Sequence, residues 1–362
     1  MPRLGVTDSQ DPRYKIVVST AQQAIRQGQL LGRKDLVGLT GVSRDQVQRI
    51  LRAARDRGEL PDRAQGSNRT DLSVGFRSPD LPSHVRSIEE LKADRRSEFT
   101  RVDTAEQARH LIPVEVLIDG PVGICHMGDP HIDDPGSDFP TLERDIKIIN
   151  ETPAFWAATV GDMQNNWCNR LAHLHSEQTV TSEEAWILVE WLVRSTDWIY
   201  MVGGNHDLWA KGSDPLQWIR RLSSVAVGEY SGARIALQFP NGKEVRINAR
   251  HDFSGSSQWN LAHSLMKAFT MGFKDHILTA GHRHADAYGL CVDPESGLIG
   301  HALRTSGYKV HDSFAKQQGF VDHRVRPSVC TIIDPSREDD DPNLIQVFWD
   351  TQRAADYLTW IR

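Results

Sequence analysis

The chain has 362 residues, 39% of them hydrophobic and 25% charged, which predicts one large or two unequal globular domains with a sizeable core. No stretch approaches the roughly 18 consecutive apolar residues of a membrane-spanning helix, and the N-terminus lacks a signal region, so a cytoplasmic protein without membrane contact is expected. Scattered cysteines without a C-x-x-C pair exclude a zinc knuckle or a disulfide framework.

The net charge of −6 is unevenly distributed along the chain. Residues 1–100 contain 18 Lys and Arg against 13 Asp and Glu, a net of +5, which leaves −11 for residues 101–362. An acidic body suits metal ligation better than wrapping by nucleic acid, which requires a basic surface. The basic head indicates that the two parts have different partners.

Residues 1–62 predict a small all-α domain with helices at 14–29, 34–39 and 44–57. The last two are joined by a tight turn that contains Gly41, which is the organisation of a helix-turn-helix. Arg and Gln can read base edges or bind phosphates, so the outward residues of the third helix are candidate DNA contacts. They are Arg44, Gln46, Gln48, Arg49 and Arg52. The alternative is a helical bundle that contacts protein or packs on the body.

Residues 63–107 are rich in Ser, Pro, Asp and Arg and predict a linker, with a short helix at 88–96. From residue 108 to residue 362 the pattern indicates a second domain, in which strand-like apolar runs end in polar loops. The ends of strands are where α/β sheets place their sites.

Five short clusters of oxygen and imidazole ligands lie in these loops. In chain order they are Asp129-Pro130-His131, Gly161-Asp162, Gly204-Asn205-His206-Asp207, Arg250-His251-Asp252 and Gly281-His282-Arg283-His284. Together they offer enough groups for two divalent ions, and adjacent ions are a known device for hydrolysing phosphate esters.

The order of these clusters resembles the calcineurin-like metallophosphoesterase superfamily, whose pattern is D-x-H, G-D, G-N-H-D/E, a lone His and G-H-x-H. The resemblance covers residues 108–335. It implies an α/β fold, a four-layer αββα sandwich with both metals in the loops along one edge, to which the helix-turn-helix-like head is added.

The resemblance also implies a role for each ligand. One ion would be bound by Asp129, His131, Asp162 and His284, and the other by the shared Asp162 with Asn205, His251 and His282. Manganese is the expected metal, with iron, zinc or magnesium as alternatives. A hydroxide between the ions would attack phosphorus, while His206 protonates the leaving oxygen and Asp207 orients the His206 ring.

Several of these assignments have alternatives. Asp129 and Asp162 could be turn residues, since Gly-Asp is a common turn pair. His263 and His276 compete with His251 for the lone position, but His251 follows a strand-like run directly. Two acidic residues after the first motif, Asp133 and Asp134, are expected to be solvated. Candidate substrate-binding residues are Asn166 and Arg283.

The sequence predicts a nucleic-acid phosphodiesterase, specifically a DNA nuclease. Protein phosphatases of this superfamily have D-R-G after G-D, whereas Met163-Gln164-Asn165-Asn166 follows Asp162 here. A DNA-binding head would favour a polynucleotide substrate by raising its effective concentration.

Two other functions stay open. The first is a small-molecule or nucleotide phosphatase or phosphodiesterase, with the head used for assembly. The second is a DNA-bound regulatory protein whose metal site does not catalyse. Whether the protein forms a homo-oligomer or acts with a partner ATPase also stays open.

Overall fold

The structure, a computed structural model, describes residues 5–29, 31–61, 85–207, 221, 224–230, 232–317, 319 and 326–362. The chain divides into two units, Met1–Ser87 and Ile88–Arg362. Among the described residues, no helix combines the length and apolar character needed to cross a membrane.

The described part of the N-terminal unit contains three helices, α1 (Pro12–Arg26), α2 (Arg33–Thr40) and α3 (Arg44–Asp56). Gly41 ends α2 in the left-handed conformation, with φ of 68°, which a residue without Cβ adopts readily. Buried residues of all three helices, among them Val17, Leu36 and Ile50, pack in one core. On α3, Gln46 is half-buried, and the other four candidate DNA contacts, Arg44, Gln48, Arg49 and Arg52, are exposed.

The second unit begins with α4 (Ile88–Arg109), a helix of 22 residues where a short one was expected at 88–96. Neither Gly nor Pro interrupts this segment. The ion pairs Lys92–Glu89 and Arg101–Glu98 each join residues three apart, which supports an exposed helix. The earlier part of the predicted linker, residues 63–84, lies outside the described residues.

Twelve strands of the described residues form two six-stranded mixed sheets. The first sheet has the order β1-β6-β7-β8-β10-β9. Its strands are β1 (Ile112–Glu115), β6 (Ala233–Gln238), β7 (Glu244–Ala249), β8 (Ile277–Ala280), β9 (Ala287–Val292) and β10 (Ile299–Arg304). The second sheet has the order β12-β11-β2-β3-β4-β5. Its strands are β2 (Val122–Met127), β3 (Phe155–Thr159), β4 (Trp198–Val202), β5 (Val225–Glu229), β11 (Ser328–Ile333) and β12 (Ile345–Phe348).

The sheets face each other across an apolar core that includes Ile124 of the second sheet and Ile235 and Ile247 of the first. Helices cover both outer faces. The second sheet packs against α5 (Phe139–Glu151), α6 (Ser182–Arg194) and α9 (Thr351–Ile361), and the first against α7 (His263–Met271). A 3₁₀ helix (Asn169–Glu177) and the short α8 (Ser313–Gln317) lie in connections. These four layers confirm the predicted αββα sandwich.

The sheet topology brings the five motifs to one edge. Strands β2, β3 and β4 are parallel neighbours, so their carboxyl ends lie side by side, and Asp129, Asp162 and Asn205 follow them. In the facing sheet, β7 and β8 are also parallel, and His251 and His282 follow them.

A fully buried histidine, His126, lies on β2 behind this edge. Its Nδ1 is 2.6 Å from the Tyr200 hydroxyl and its Nε2 is 2.9 Å from Thr331 Oγ1. Burial lowers the pKa of His126 to about 3, so the ring is neutral at physiological pH.

This buried ring should make the free energy of unfolding depend on pH. Unfolded His126 takes up a proton near its ordinary pKa of 6.5, whereas in the folded protein it does so only near pH 3. Folding stability should therefore fall as the pH drops between those values, by up to about 1.4 kcal/mol per pH unit from this group. We expect urea titrations of His126→Gln to lack this part of the pH slope. The exposed His263→Gln serves as the control. An unchanged slope in His126→Gln would contradict the prediction.

Candidate metal centre

The loops of this edge contain an unusual concentration of left-handed backbone. Five of their residues have positive φ, namely His131 (39°), Asp162 (53°), Asn166 (41°), His282 (68°) and His284 (45°). Among the other described non-glycine residues, only Ala154 does. This conformation costs about 1–3 kcal/mol for most residues and persists only where the surroundings enforce it. The fold therefore imposes the positions of these side chains.

Two motif glycines bring the main chain against the acidic ligands. A Cβ on Gly204 would lie 2.1 Å from Asp162 Oδ1, and one on Gly281 would lie 2.3 Å from Asp129 Oδ1. Both distances are well inside van der Waals contact. Any side chain at these positions would displace a carboxylate, so the glycines are needed for the close approach.

Asp129, His131 and His284 form the first cluster, with ligand atoms within 4.8 Å of one another. His284 Nε2 is 3.4 Å from Asp129 Oδ2, which also accepts the His282 N–H at 2.7 Å. Asp129 is fully buried, and its Oδ1 has no hydrogen-bond partner in the described part of the chain. A buried carboxylate oxygen without a partner is unfavourable, and a bound cation would satisfy it.

Asp162, His251 and His282 form the second cluster. His251 Nε2 lies 3.2 Å from Asp162 Oδ2 and 3.0 Å from His282 Nδ1. It is also 2.9 Å from Asn205 Oδ1, the amide oxygen expected to ligate the second ion. His251 Nδ1 is 2.8 Å from the Val160 carbonyl, which accepts only from a protonated nitrogen. In the neutral ring, this bond leaves the Nε2 lone pair directed into the cluster.

The Asp162 carboxylate faces both clusters. Its Oδ2 is 3.2 Å from His251 Nε2 on one side and 4.0 Å from His131 Nε2 on the other. Burial raises the pKa of this carboxyl, but the hydrogen bond with His251 and the positive charges that His251 and His206 carry when protonated together outweigh burial and lower the pKa of Asp162. A charged carboxylate between two ligand groups is the geometry that a bridging ligand requires. The donor set of carboxylates, imidazoles and an amide oxygen fits divalent transition metals.

The role predicted for Asp207 is wrong. Its carboxylate accepts the backbone N–H groups of Asp162 at 2.8 Å, Gly204 at 2.8 Å and Met163 at 3.2 Å, and does not bond the His206 ring. Burial, with a contribution from Asp162, raises the pKa of Asp207 to about 7. The side chain turns beneath the loop because these buried N–H groups need an acceptor. Asp207 thus joins two ligand loops.

The His206 ring is oriented instead by the main chain of Asn165, whose carbonyl accepts from His206 Nδ1 through a short hydrogen bond. His206 Nε2 lies 3.8 Å from Asp162 Oδ2, on the side of the clusters, where His131, Asp162 and His206 also have ligand atoms in proximity. Trp167 packs edge-on against the ring, with centroids 5.2 Å apart. The backbone of His206 is also held, because its carbonyl accepts from Asn166 Nδ2 at 2.8 Å.

Arg283 and Asn166, the two candidate substrate contacts, both have protein partners. Asn166 donates to the His206 carbonyl, as described. Arg283 Nη2 is 3.1 Å from Asp252 Oδ2 and donates to the Gly255 carbonyl at 3.0 Å. Their contacts to substrate stay a prediction.

The competing histidines lie outside the described clusters. His276 is buried beside Asp339, 3.1 Å away, and His263 is exposed at the start of α7. Neither histidine belongs to a cluster that contains an acidic motif residue, whereas His251 lies in the cluster of Asp162.

Sequence reasoning missed Arg304, which is fully buried at the end of β10. Its guanidinium donates to the Gly281 carbonyl at 2.6 Å and to Asp252 Oδ1 at 2.9 Å. These bonds fix the main chain directly before His282. The sequence around an arginine at the end of an apolar strand does not show whether its side chain is buried or exposed to solvent.

The expectation that Asp133 and Asp134 are solvated is also wrong. Asp133 is 3% exposed and accepts the Asn165 N–H at 2.7 Å. Asp134 accepts from Asn165 Nδ2 at 2.8 Å and pairs with Lys309 Nζ at 2.8 Å. Both carboxylates therefore support the loop that follows Asp162.

No protein-family model matches the chain, and no curated protein sequence matches it. Three solved structures with similar folds are a Vps29 single mutant from Entamoeba histolytica, the NAD nucleotidase NadN from Haemophilus influenzae and the calcineurin-like phosphoesterase YfkN from Bacillus subtilis. They are 13%, 10% and 12% identical to this chain, with TM-scores of 0.34, 0.35 and 0.34. The matches cover 63%, 63% and 66% of this chain and 97%, 49% and 99% of the respective structures. At TM-scores this low, none of these likenesses decides fold or function.

The chain's own topology and motifs do identify the fold. Two facing six-stranded sheets lie between helices, and the D-x-H, G-D, G-N-H-D, lone His and G-H-x-H motifs meet at one edge. This arrangement agrees with the αββα sandwich and single-edge site that the motif resemblance to the calcineurin-like metallophosphoesterases implies.

Proposed function

We propose that the chain is a metal-dependent phosphoesterase that binds two divalent ions. The observation that carries the proposal is the buried Asp162 carboxylate between two clusters of His and Asp ligands. Two adjacent ions, when bound, polarise a phosphoryl oxygen and activate water. Manganese is the proposed metal, with iron, zinc or magnesium as alternatives.

Each residue of the site would have a distinct role in the reaction. The first cluster with Asp162 would hold one ion, and Asp162 with Asn205, His251 and His282 would hold the other. His206 would protonate the leaving oxygen through Nε2, because its Nδ1 is bonded to the Asn165 carbonyl. Burial lowers the pKa of His206, and the Asp162 carboxylate and the Asn165 carbonyl partly offset burial by stabilising the protonated ring that the acid must be before it donates.

We further propose that the substrate is a nucleic-acid phosphodiester, and specifically DNA. Support comes from the exposed arginines Arg44, Arg49 and Arg52 along α3. Arginine binds phosphate through paired N–H donors, and a helix of this kind can enter a major groove. The head would then deliver DNA to the catalytic unit.

The charges around the site favour a second candidate, a phosphatase or phosphodiesterase for nucleotides or other small molecules. Three cationic side chains described near the clusters have carboxylate partners. Arg283 and Arg304 pair with Asp252, and Lys309 pairs with Asp134. Binding of a polyanion gains most free energy from cationic side chains that are not already paired with carboxylates. The paired cations of this region therefore fit a small ester better than a long polyanion.

Removal of the Asp162 carboxylate should abolish metal binding. We expect Asp162→Ala to lose both ions, since each cluster would lack its shared ligand. Elemental analysis after manganese loading and desalting measures the ion content. Asp293→Ala is the control, because Asp293 caps a turn through Ser296 in the described structure. Full occupancy in Asp162→Ala would refute the bridging role.

The proposed activity is tested with manganese on single- and double-stranded oligonucleotides, on nucleotides and on bis-p-nitrophenyl phosphate. We expect the intact protein to hydrolyse oligonucleotides. His206→Ala should retain metal but lose rate by on the order of 10²–10⁴-fold. Hydrolysis of small esters alone would favour the second candidate. If the biological function of the protein survives in His206→Ala, the protein would be a regulatory one whose metal site does not catalyse.

The DNA-binding role of α3 has a separate test. We expect the double variant Arg49→Ala, Arg52→Ala to bind DNA more weakly and to reduce the log–log salt slope by about two, since each phosphate contact contributes about one. Hydrolysis of bis-p-nitrophenyl phosphate should be unaffected. Arg26→Ala, at an exposed position that ends α1, is the matched control. Equal salt slopes in the wild type, the double variant and Arg26→Ala would mean that the head has another role.

A further inference from the structure

Lys309 is a buried cation beside the candidate catalytic centre. Its side chain is 3% exposed. Its Nζ lies 2.8 Å from Asp134 Oδ2, 3.4 Å from Asp312 Oδ1 and 3.5 Å from Asn165 Oδ1. Burial of an ammonium group is unfavourable unless its donors are matched, and here three oxygens surround it. Such an arrangement fixes the groups that it joins.

Asn165 is the group that this arrangement fixes most fully. Its backbone N–H donates to Asp133 Oδ1 at 2.7 Å, and its Nδ2 donates to Asp134 Oδ2 at 2.8 Å. Its side-chain oxygen accepts from Lys309, and its main-chain carbonyl accepts from His206. Every polar group of Asn165 is therefore bonded, and Lys309 contacts both Asn165 and the carboxylate that holds it.

Lys309 also supports the second neighbour of His206. Its Nζ lies 5.2 Å from the centre of the Trp167 ring, within the range of a cation–π contact. The edge of Trp167 in turn packs against His206. One ammonium group thus contacts two of the residues that hold the His206 ring, and His131 packs against the same ring at 5.0 Å between centroids.

We propose that Lys309 is a positioning residue, which acts through Asn165 and Trp167 to hold the His206 ring with its Nε2 toward the leaving oxygen. This inference rests on the proposed phosphoesterase function. As water forms the new P–O bond it gives up a proton to solvent, the bond to the leaving oxygen breaks, and that oxygen takes the bonding pair and the Nε2 proton of His206. Solvent then reprotonates the ring. Lys309 itself does not contact the reacting atoms.

The leaving group separates this role from a general structural one. The two test substrates are the p-nitrophenyl and phenyl esters of thymidine 5′-phosphate. The leaving oxygen of the p-nitrophenyl ester departs without a proton, whereas the leaving oxygen of the phenyl ester needs a proton to depart. Lys309→Met keeps an unbranched side chain that is one atom shorter and removes the charge. With manganese present, we expect kcat for the phenyl ester to fall on the order of tenfold, part of what a general acid contributes, and kcat for the p-nitrophenyl ester to change less than about twofold.

Matched variants make the comparison specific. Lys309→Arg, which keeps a cation at this position, should recover part of the phenyl-ester rate. Lys243→Met removes another largely buried lysine, paired with Asp339 at 2.5 Å, and should leave both rates unchanged. Lys243 precedes β7 and His251 follows it, so the two are more than about 20 Å apart along the strand. Metal content and thermal unfolding are measured for each variant.

The inference is overturned if Lys309→Met slows both esters equally or slows neither. If Lys309→Met does not fold, Asp134→Asn, which weakens the same contacts from the other side, must show the selective loss. A wild-type protein that hydrolyses no phosphoester with any of the proposed metals would instead refute the proposed function. Activity in the wild type without leaving-group selectivity in the variants refutes only the role of Lys309.

Discussion

The buried carboxylate of Asp162 is the constraint on which this structure depends. It follows a central strand of one sheet, and its Oδ2 lies 3.2 Å from His251 Nε2 of the facing sheet. Its other oxygen accepts the His206 N–H at 2.9 Å. A carboxylate in this position is tolerable only if positive charge and donors surround it, so the nearby loops are arranged to supply them. The left-handed residues and the close glycines are the consequence of that requirement.

Buried charged side chains behind the candidate ligands hold the loops of this edge in fixed positions. Asp207 accepts three backbone N–H groups, Arg304 holds the carbonyl before His282, and Asp133 holds the amide of Asn165. Each satisfies main-chain groups that the irregular loops leave without partners. Rigidity at the edge thus comes from side chains that bind main chain. The ligands themselves need contribute little to it.

The sequence supports the fold and the ligand positions well, because both depend on local patterns. Apolar runs predict strands, and the polar motifs at their ends predict which side chains meet at the sheet edge. It does not predict contacts between distant segments. Lys309 lies 144 residues from its partner Asn165. No local pattern shows that it turns inward, or that Asp207 turns away from the ring beside it. The length of α4 was missed because it depends on surface ion pairs rather than on an apolar stripe.

The ligand residues are spread from Asp129 to His284, and both sheets contribute to them. No single hairpin or β-α-β segment contains a full set of ligands for one ion. Under the proposed function, high affinity for metal would therefore arise only after the two sheets have docked, late in folding and at the cost of closing long loops. Ion uptake would then report completion of the sandwich rather than its nucleation. It would also draw the folding equilibrium toward the native state in proportion to the free ion concentration.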